Sequence, residues 1–232
     1  TDREFQVAQL QFGAANLAWS EDGKWLAFSQ FVAAKPTSLT TMPQGPKGAK
    51  WAESAIIIDK VTYRADGTGY LDTGFNHIFV VPTEGGSPRQ VTEGNFHHNG
   101  TINWMADDKY LVFSANRRED WDLEIVDSSI YKLEIQSGLL IKLTDRYGPE
   151  TDPIVSPDGK LIAYLGFDDK HQGYQLTELY VMNIDGSNSR LLTQSLDRSV
   201  ENPNWSGNNN LYFQYDDEGD TKIVRTDLKA KR

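Results

Sequence analysis

Residues 155–164 read Val-Ser-Pro-Asp-Gly-Lys-Leu-Ile-Ala-Tyr, a tight Pro-Asp-Gly turn between an apolar entry and an alternating apolar run. Proline, aspartate and glycine favour the backbone angles of such turns, so the flanking segments are expected to pair as an antiparallel hairpin. The unit recurs at residues 19–28 and 104–113, and in a diverged form at residues 205–213. Each copy begins with an aromatic or apolar residue, has Asp, Gly or Asn at the turn, and ends with a hydrophobic run.

The spacing of these copies is typical of a repeat protein. The last three begin at Trp104, Val155 and Trp205, which gives a period of about 50 residues. A repeat of that length built only from strand-like segments indicates β-propeller blades. The first interval, from Trp19 to Trp104, is longer and therefore predicts an insertion. The predicted fold is all-β: a propeller segment of about four four-stranded antiparallel blades, with a loop-and-hairpin insertion in the first.

A second hairpin completes each predicted blade and ends on an apolar residue followed by a threonine, at Thr92, Thr144 and Thr193. The fourth unit lacks this ending and has three predicted strands. The chain is thus interpreted as one partial propeller domain over residues 1–232. Its predicted blades cover residues 13–93, 99–145, 150–194 and 200–232.

The predicted insertion covers residues 33–74 and has three parts. Residues 33–50 carry prolines and glycines among serines and threonines, which predicts an exposed loop. Residues 55–63 are rich in β-branched side chains and predict a strand. Residues 64–72 contain two glycines that allow positive φ angles, so they predict a turn.

Residues 5–10, Phe-Gln-Val-Ala-Gln-Leu, predict a spare strand ahead of the first blade. This strand could close a four-bladed ring with the incomplete last blade, or it could belong to a blade that lies outside this chain; the second interpretation is favoured. Without ring closure, the sides of the terminal blades are open, and self-association of the chain is expected.

Composition limits the classes of function. The formal net charge of −10 repels nucleic acids and anionic membranes, so neither is an expected partner. The absence of cysteine excludes disulfides, thiolate zinc sites and cysteine nucleophiles. No apolar run reaches the roughly 18 residues of a membrane span, and no basic-then-apolar leader opens the sequence. Because residue 1 is threonine, the chain is expected to be processed or excised from a longer one.

Four segments, residues 19–28, 63–71, 79–92 and 156–164, carry a resemblance to a known family. They resemble the propeller domain of prolyl-oligopeptidase-family serine peptidases, in particular the acylaminoacyl-peptidase and dipeptidyl-aminopeptidase-like enzymes. The short repeat alone is similar to the WD40-type repeats of the TolB translocation protein. The Tyr-Arg-x-Asp-Gly-x-Gly-Tyr sequence at residues 63–70 is more specific and favours the peptidase branch.

The resemblance implies a parent protein in which a propeller caps an α/β-hydrolase domain with a Ser-Asp-His triad. The Gly-x-Ser-x-Gly motif of such a domain does not occur in this sequence, so no catalytic residue is assigned. The chain is therefore expected to be the noncatalytic, substrate-gating domain of a secreted or periplasmic serine peptidase. Its expected partners are the hydrolase domain of the same parent and short peptides, and no cofactor or metal is assigned.

Two other functions stay open. A TolB-like propeller without an enzymatic parent would bind a protein partner across one face. A propeller that binds a small ligand or an ion is the weaker alternative. The turn from Asp66 to Asp72 is reminiscent of calcium loops, but its spacing is not that of an EF-hand, so a plain turn with a positioned Arg64 is favoured.

The densest cluster of charge is Arg-Arg-Glu-Asp-Trp-Asp-Leu-Glu at residues 117–124. The resemblance implies a role for this cluster, because in the dipeptidyl-peptidase relatives an acidic pair from the propeller holds the free amino terminus of the substrate. A carboxylate pair suits an ammonium group electrostatically. The candidate substrate-binding residues are Glu119, Asp120, Asp122 and Glu124, together with Arg64. The alternative interpretation is a solvated acidic turn paired internally with Arg117 and Arg118.

Further polar and aromatic residues have structural interpretations. His97 and His98 are adjacent, so they would face opposite sides of a strand, and a solvated loop between blades is favoured over a metal site. Trp19, Trp104 and Trp205 open repeat units and are expected to pack between blades. Acidic loops at residues 167–174 and 215–219 occupy corresponding places, which predicts either one acidic propeller face or ordinary hairpin solvation.

Overall fold

The computed structural model describes residues 4–41, 43, 45–48 and 55–229. In this part of the chain the strands form four larger antiparallel sheets and one two-stranded sheet, which is the insertion hairpin. Within each larger sheet the strands follow one another in chain order, with only the insertion hairpin intervening in the first. The first strands of successive larger sheets lie next to one another. This arrangement confirms the predicted all-β propeller segment, in which each larger sheet is one blade. No helix among these residues has the length and apolar character of a membrane span.

Blade 1 contains β1 (Ala14–Trp19), β2 (Trp25–Ala33), the insertion hairpin of β3 (Arg64–Ala65) and β4 (Gly69–Tyr70), then β5 (Gly74–Pro82) and β6 (Arg89–Gln90). Blade 2 contains β7 (Ile102–Trp104), β8 (Tyr110–Ala115), β9 (Ser129–Glu134) and β10 (Leu140–Lys142). Blade 3 contains β11 (Glu150–Val155), β12 (Leu161–Gly166), β13 (Glu178–Asn183) and β14 (Arg190–Leu191). Blade 4 contains β15 (Glu201–Ser206), β16 (Asn210–Asp217) and β17 (Asp220–Asp227).

The repeated Ser-x-Asp-Gly sequence forms a turn whose polar groups satisfy one another. The Ser156 hydroxyl donates to Asp158 Oδ1 at 2.7 Å and accepts the Leu161 amide at 3.0 Å. Gly159 takes a φ of 69°, which a side chain would disfavour. The turn at Ser20 repeats these contacts. The hairpin geometry is therefore specified within a few residues of each copy.

The threonine that ends each complete repeat has a structural role. In blades 1 to 3 its buried hydroxyl accepts a hydrogen bond from a backbone amide of the third strand. The pairs are Thr92 with Ile78 at 2.8 Å, Thr144 with Ile130 at 2.9 Å and Thr193 with Leu179 at 3.0 Å. Because these amides are buried, the threonine satisfies a donor that would otherwise lack a partner.

The core consists of three apolar layers, each between two neighbouring blades. Strand β8 shows how one strand serves two layers, because its side chains alternate between its faces. Leu111 and Phe113 pack towards blade 1, whereas Val112 packs towards blade 3. Each blade is therefore stabilised by its neighbours rather than by a core of its own.

Two tryptophans join neighbouring blades as predicted. The Trp104 indole donates from Nε1 to the carbonyl of Ala18 at 2.9 Å, and the Trp205 indole donates to the carbonyl of Ile154 at 3.1 Å. The same prediction is wrong for Trp19, which is 63% exposed. Trp19 lies in the first strand of blade 1, and no described blade covers that face.

The spare strand predicted at residues 5–10 does not form. One backbone hydrogen bond, from the Gly86 amide to the Val7 carbonyl at 3.2 Å, holds this segment beside the turn between β5 and β6. The sheet of blade 4 ends at β17, so residues 5–10 do not close a ring. The segment makes no ladder of backbone hydrogen bonds with any described sheet, and a short alternating segment does not form a strand without one.

The insertion differs from its prediction in one part. Residues 55–63 form no strand, and Ile56 and Ile58 are exposed, because no neighbouring strand pairs with the segment. Residues 64–72 form the β3–β4 hairpin with its turn, as predicted. The described positions from 34 to 48 are an exposed loop, while residues 42, 44, 49 and 50 of the predicted loop lie outside the described residues.

The two ends of the blades differ in character. At one end, the turn end, short turns join the first strand to the second and the third to the fourth. At the other, the loop end, the second strand of each blade leads to the third and the last strand leads to the next blade. The long connections at residues 34–73, 116–128 and 167–177 therefore all lie at the loop end.

Candidate functional site

The predicted acidic residues lie together on the loop-end connection at residues 116–128 of blade 2. This loop is folded by its own backbone: the Leu123 amide donates to the Asp120 carbonyl at 2.9 Å, and the Asn116 side chain donates to the Glu124 carbonyl at 2.7 Å. The loop therefore has a defined shape, and its four carboxylates are presented from one compact segment.

Asp120 is paired internally. Arg118 donates to its carboxylate from Nε at 2.8 Å and from NH2 at 3.0 Å, a bidentate arrangement that lowers the pKa of Asp120. Arg118 also lies 3.4 Å from the buried Asp127 carboxylate. The predicted internal pairing of the acidic turn is therefore present between Arg118 and Asp120. Arg117 instead turns inward, where it donates to His98.

Asp122 and Glu124 hold other parts of the loop end in place. The Asp122 carboxylate accepts the amides of Val61 and Thr62 at 2.5 and 3.2 Å, so it fastens the insertion of blade 1 to blade 2. Glu124 accepts the Tyr147 hydroxyl at 2.5 Å, and this hydrogen bond raises the pKa of Tyr147 to about 12. Both carboxylates are engaged within the protein.

Glu119 and Arg64 are the two remaining predicted residues. Glu119 is exposed, and among the described residues its carboxylate has no hydrogen bond or ion pair. Arg64 is exposed on β3, and no hydrogen bond of the described part of the chain joins it to residues 116–128. The structure thus gathers the four carboxylates on one loop and leaves Arg64 on a separate hairpin.

A buried charged cluster beneath this loop was missed by the sequence interpretation. Glu150 opens β11 and is 1% exposed, and Arg146 lies 3.5 Å from it and 3.4 Å from Asp168. Burial raises the pKa of Glu150 to about 7, although hydrogen bonding and the Arg146 guanidinium act in the opposite direction. Gly166 leaves room for Arg146, because a Cβ there would lie 2.7 Å from its NH2. The only signal in the sequence was an acidic residue at the start of an inner strand.

The histidine pair occupies two separate environments. His98 is fully buried, so the predicted solvated loop is wrong for this residue. Its Nδ1 lies 3.2 Å from the Asn76 carbonyl and its Nε2 accepts from Arg117 at 2.5 Å. Burial, followed by the Arg117 charge, lowers the pKa of His98 to about 3. The imidazole is therefore a neutral structural group at the boundary between blades 1 and 2.

His97 belongs to an aromatic corner formed with Phe75 and Trp121. The ring centroids are 5.1 Å apart for Phe75 and His97, 5.4 Å for His97 and Trp121, and 5.9 Å for Phe75 and Trp121. The Trp121 ring stands at 79° and 80° to the other two. The Lys60 ammonium lies 4.4 Å from the Phe75 centroid and 5.8 Å from that of Trp121.

The inner strands contribute a cavity at the same end. In β1, β11 and β15 a bulge places Asn16, Asp152 and Asn202 at positive φ angles of 53°, 49° and 50°. A cavity of about 470 Å³ lies beside the bulges of β11 and β15. Its lining combines polar and apolar side chains, namely Thr101, Asp152, Ile154, Leu165, Glu201, Asn202 and Pro203.

The family model described as the dipeptidyl peptidase IV (DPP IV) N-terminal region matches residues 49–168. A curated relative, an uncharacterized protein of Agrobacterium fabrum, is 26% identical over 206 residues, which cover 85% of this chain and 64% of the relative. The segment that the family model matches includes the insertion hairpin and the loop with the four carboxylates.

Two solved structures share the fold. Acylaminoacyl peptidase of Pyrococcus horikoshii superposes with a TM-score of 0.68 at 19% identity, covering 96% of this chain and 31% of that one. TolB of Acinetobacter baumannii superposes with a TM-score of 0.60 at 15% identity, covering 93% of this chain and 41% of that one. The chain thus spans less than two thirds of the length of each of these three relatives.

Proposed function

The chain belongs to the family of the dipeptidyl peptidase IV N-terminal region, and on that premise we propose that it is the noncatalytic, substrate-gating propeller domain of a serine peptidase. Peptide hydrolysis itself belongs, in this proposal, to an α/β-hydrolase domain of the parent protein. The proposal includes an exported parent, periplasmic or secreted, which cell fractionation of the parent tests directly.

The observation that carries this proposal is the unequal elaboration of the two blade ends. Long connections, the insertion and the charged loop all lie at the loop end, whereas the turn end has short turns. Functional residues of propellers and other scaffolds concentrate on such loops, because the sheets beneath hold them rigidly. A substrate approaching the loop end meets carboxylates and aromatic rings on the loops and the cavity beside the inner strands.

Within this site we propose a division of roles among the predicted residues. Glu119 presents its carboxylate to the amino terminus of a peptide, since it is exposed and, within the described part of the chain, uncompensated. Asp120, the other exposed acid of the loop, supports this contact while it is paired with Arg118. Asp122 and Glu124 position the loop through their contacts with the insertion and with Tyr147. Arg64 remains a proposed contact for a more distant part of the peptide.

Kinetics of the parent protein test these roles. Glu119→Gln is expected to raise KM for a tripeptide with a free amino terminus by about tenfold, the loss of one charge-assisted contact, and to leave KM unchanged for the N-acetylated tripeptide. Glu21→Gln, an exposed acid at the turn end, is the matched control and should alter neither value. Equal effects on both peptides, or a parent without peptidase activity, would refute the proposal.

An interaction propeller is the second candidate, favoured by exposed apolar side chains at the loop end. Leu123 and Ile125 are 71% and 70% exposed beside the acidic residues, which suits a protein surface. In the peptidase proposal the hydrolase domain covers them; in the alternative a separate protein does. Coding sequence that continues into a Gly-x-Ser-x-Gly hydrolase supports the first, and a stop codon after Arg232 supports the second.

Self-association is also proposed for the chain by itself. Leu17 and Trp19 on blade 1, and Ile223 on blade 4, are exposed on the outer faces of the terminal blades. These faces resemble the interblade layers that are buried elsewhere, so stacking of one copy on another would cover them. Light scattering should report species larger than a monomer, and a compact monomer at all concentrations would contradict this.

A further inference from the structure

The aromatic corner of Phe75, His97 and Trp121 is assembled from three separate parts of the chain. Phe75 lies in β5, His97 in the connection between blades 1 and 2, and Trp121 in the loop of blade 2. The Trp121 ring is nearly perpendicular to the other two, so it packs edge to face with them. The rings of Phe75 and Trp121 border one position, named the recess, which lies 4.4 Å and 5.8 Å from their centroids. The faces of aromatic rings attract cations through the ring quadrupole.

The occupant of this recess is an ammonium group from the protein itself. Lys60 belongs to the insertion, and its Nζ lies over the Phe75 ring with Trp121 beside it. Within the described residues, Lys60 forms no ion pair. The rings are therefore the direct contacts of its charge, without an ion pair to a carboxylate, as in the aromatic sites that bind ammonium groups of ligands.

The charges around the recess favour a cation. Burial, and then the Lys60 charge, lower the pKa of His97, so its ring is neutral at neutral pH and does not repel an ammonium group. The two nearby arginines face away: Arg117 donates to His98, and Arg118 donates to Asp120. Asp122, which follows Trp121 directly, adds a negative charge at the rim.

The insertion is fastened to blade 2 by few contacts. In the described part of residues 55–72, the hydrogen bonds to the rest of the protein outside the insertion are those from Val61 and Thr62 to Asp122. The Lys60 side chain supplies the neighbouring attachment. A ligand with its own ammonium group offers the recess the same interaction, so it can compete with Lys60 on equal chemical terms.

We propose that the aromatic corner is a binding site for an alkylammonium group of a peptide, and that Lys60 occupies it in cis as an internal competitor. The ligand group is either a lysine side chain or a peptide amino terminus, which share this chemistry. Displacement of Lys60 frees the adjoining segment of the insertion from the corner. The rings of this site are separate from the exposed acids Glu119 and Asp120, and the proposal does not require a peptidase parent.

Removal of the internal competitor tests the proposal. The Lys60→Met variant keeps the length of the side chain and removes its charge. Binding is followed through the Trp121 indole N–H resonance, assigned with the Trp121→Leu variant. Three probes separate the sources of the ammonium group: Nα-acetyl-lysine methylamide carries it on the side chain, alanine methylamide carries it at the amino terminus, and Nα-acetyl-norleucine methylamide lacks it.

At least one of the two charged probes should bind Lys60→Met about tenfold more tightly than wild type, because no internal ammonium has to be displaced. The charged probe that binds identifies the source. Lys47→Met removes another lysine of the insertion and should behave as wild type. Lys60→Gln, which also lacks the charge, should reproduce the gain, and the indole resonances of Trp104 and Trp205 report that the blades remain folded.

Three results would overturn the proposal. The first is equal affinity of wild type, Lys60→Met and Lys60→Gln for both charged probes. The second is binding of the norleucine probe as tight as that of the lysine probe, since apolar contact alone would then explain it. The third is undiminished binding to the double variant Lys60→Met, Trp121→Leu, followed through the remaining indole resonances.

Discussion

Replacement of Trp104 by phenylalanine should destabilise the propeller much more than the same replacement at Trp19. At position 104 the variant loses the hydrogen bond to the Ala18 carbonyl and leaves that acceptor without its partner, which costs about 1–3 kcal/mol. The smaller ring removes buried apolar contact worth roughly 1 kcal/mol more. The expected loss in free energy of unfolding is therefore about 2–4 kcal/mol.

The other repeat positions supply matched controls. Trp19 is largely exposed, so Trp19→Phe should change the free energy of unfolding by no more than about 0.5 kcal/mol. Trp205→Phe should lie between the two, at about 1–2 kcal/mol, because its hydrogen bond to Ile154 is longer and its ring is half-buried. Urea unfolding followed by far-ultraviolet circular dichroism measures all three. Equal losses at Trp19 and Trp104 would refute the assignment of these side chains to interblade contacts.

Two further predictions concern the buried acid and a crowded glycine. Because burial raises the pKa of Glu150 to about 7 from an ordinary value of 4.5, the Glu150 carboxyl is protonated to a greater extent in the folded protein than in the unfolded chain between these pH values, and its contribution to stability falls as the pH rises through this window. Glu150→Gln should therefore gain about 2 kcal/mol relative to wild type between pH 5 and 7 in urea unfolding, and a constant difference would contradict the shift. At Gly100 a Cβ would lie 2.1 Å from Ser114 Oγ and 2.5 Å from the Ser114 carbonyl oxygen, whereas at Gly13 it would meet nothing within 4 Å. Gly100→Ala should lower the free energy of unfolding by about 1–3 kcal/mol, and Gly13→Ala should not. A lower urea-unfolding midpoint for Gly13→Ala than for Gly100→Ala would contradict the close packing of β8 on the connection from blade 1.

The repeat was predictable because its determinants are local. In the Ser-x-Asp-Gly turn, the hydroxyl of Ser156, the carboxylate of Asp158 and the positive φ of Gly159 act within four residues. A sequence pattern contains all of this information. The threonine at the end of each repeat was visible as a pattern, but its role as an acceptor for the Ile130 amide depends on a residue 14 positions away.

The failed predictions all depended on distant neighbours. Residues 55–63 have the composition of a strand, yet no described strand pairs with them, and Ile56 and Ile58 remain exposed. His98 has polar neighbours in sequence, but Asn76 and Arg117 enclose it in space. Glu150 is likewise buried by the meeting of blades 2 and 3, which no single repeat encodes.

The structure brings the four predicted acids together on one loop, and their internal organisation depends on contacts that the sequence does not show. The sequence shows four acids within six residues, with no means of telling which of them are already engaged. Asp122 binds amides 60 and 61 residues away, and Glu124 binds a tyrosine 23 residues away. Only after these partners are known does the exposed, uncompensated Glu119 stand apart from the other three.

The same division between local and distant contacts explains why the loop end can carry function. At the turn end, Asp108 of blade 2 accepts the Glu21 and Asp22 amides of blade 1 at 2.7 and 3.1 Å, so neighbouring blades are joined by short, repeated elements. At the loop end the insertion is joined through Asp122 and Lys60, which contribute little to the interblade layers. Loop-end contacts can therefore open without loss of the core, because the free energy that keeps the blades together lies in the apolar layers and the turn end. Under the proposed exchange, a ligand needs to overcome only the local attachment of the insertion, so a small cation is sufficient to change the shape of the loop end.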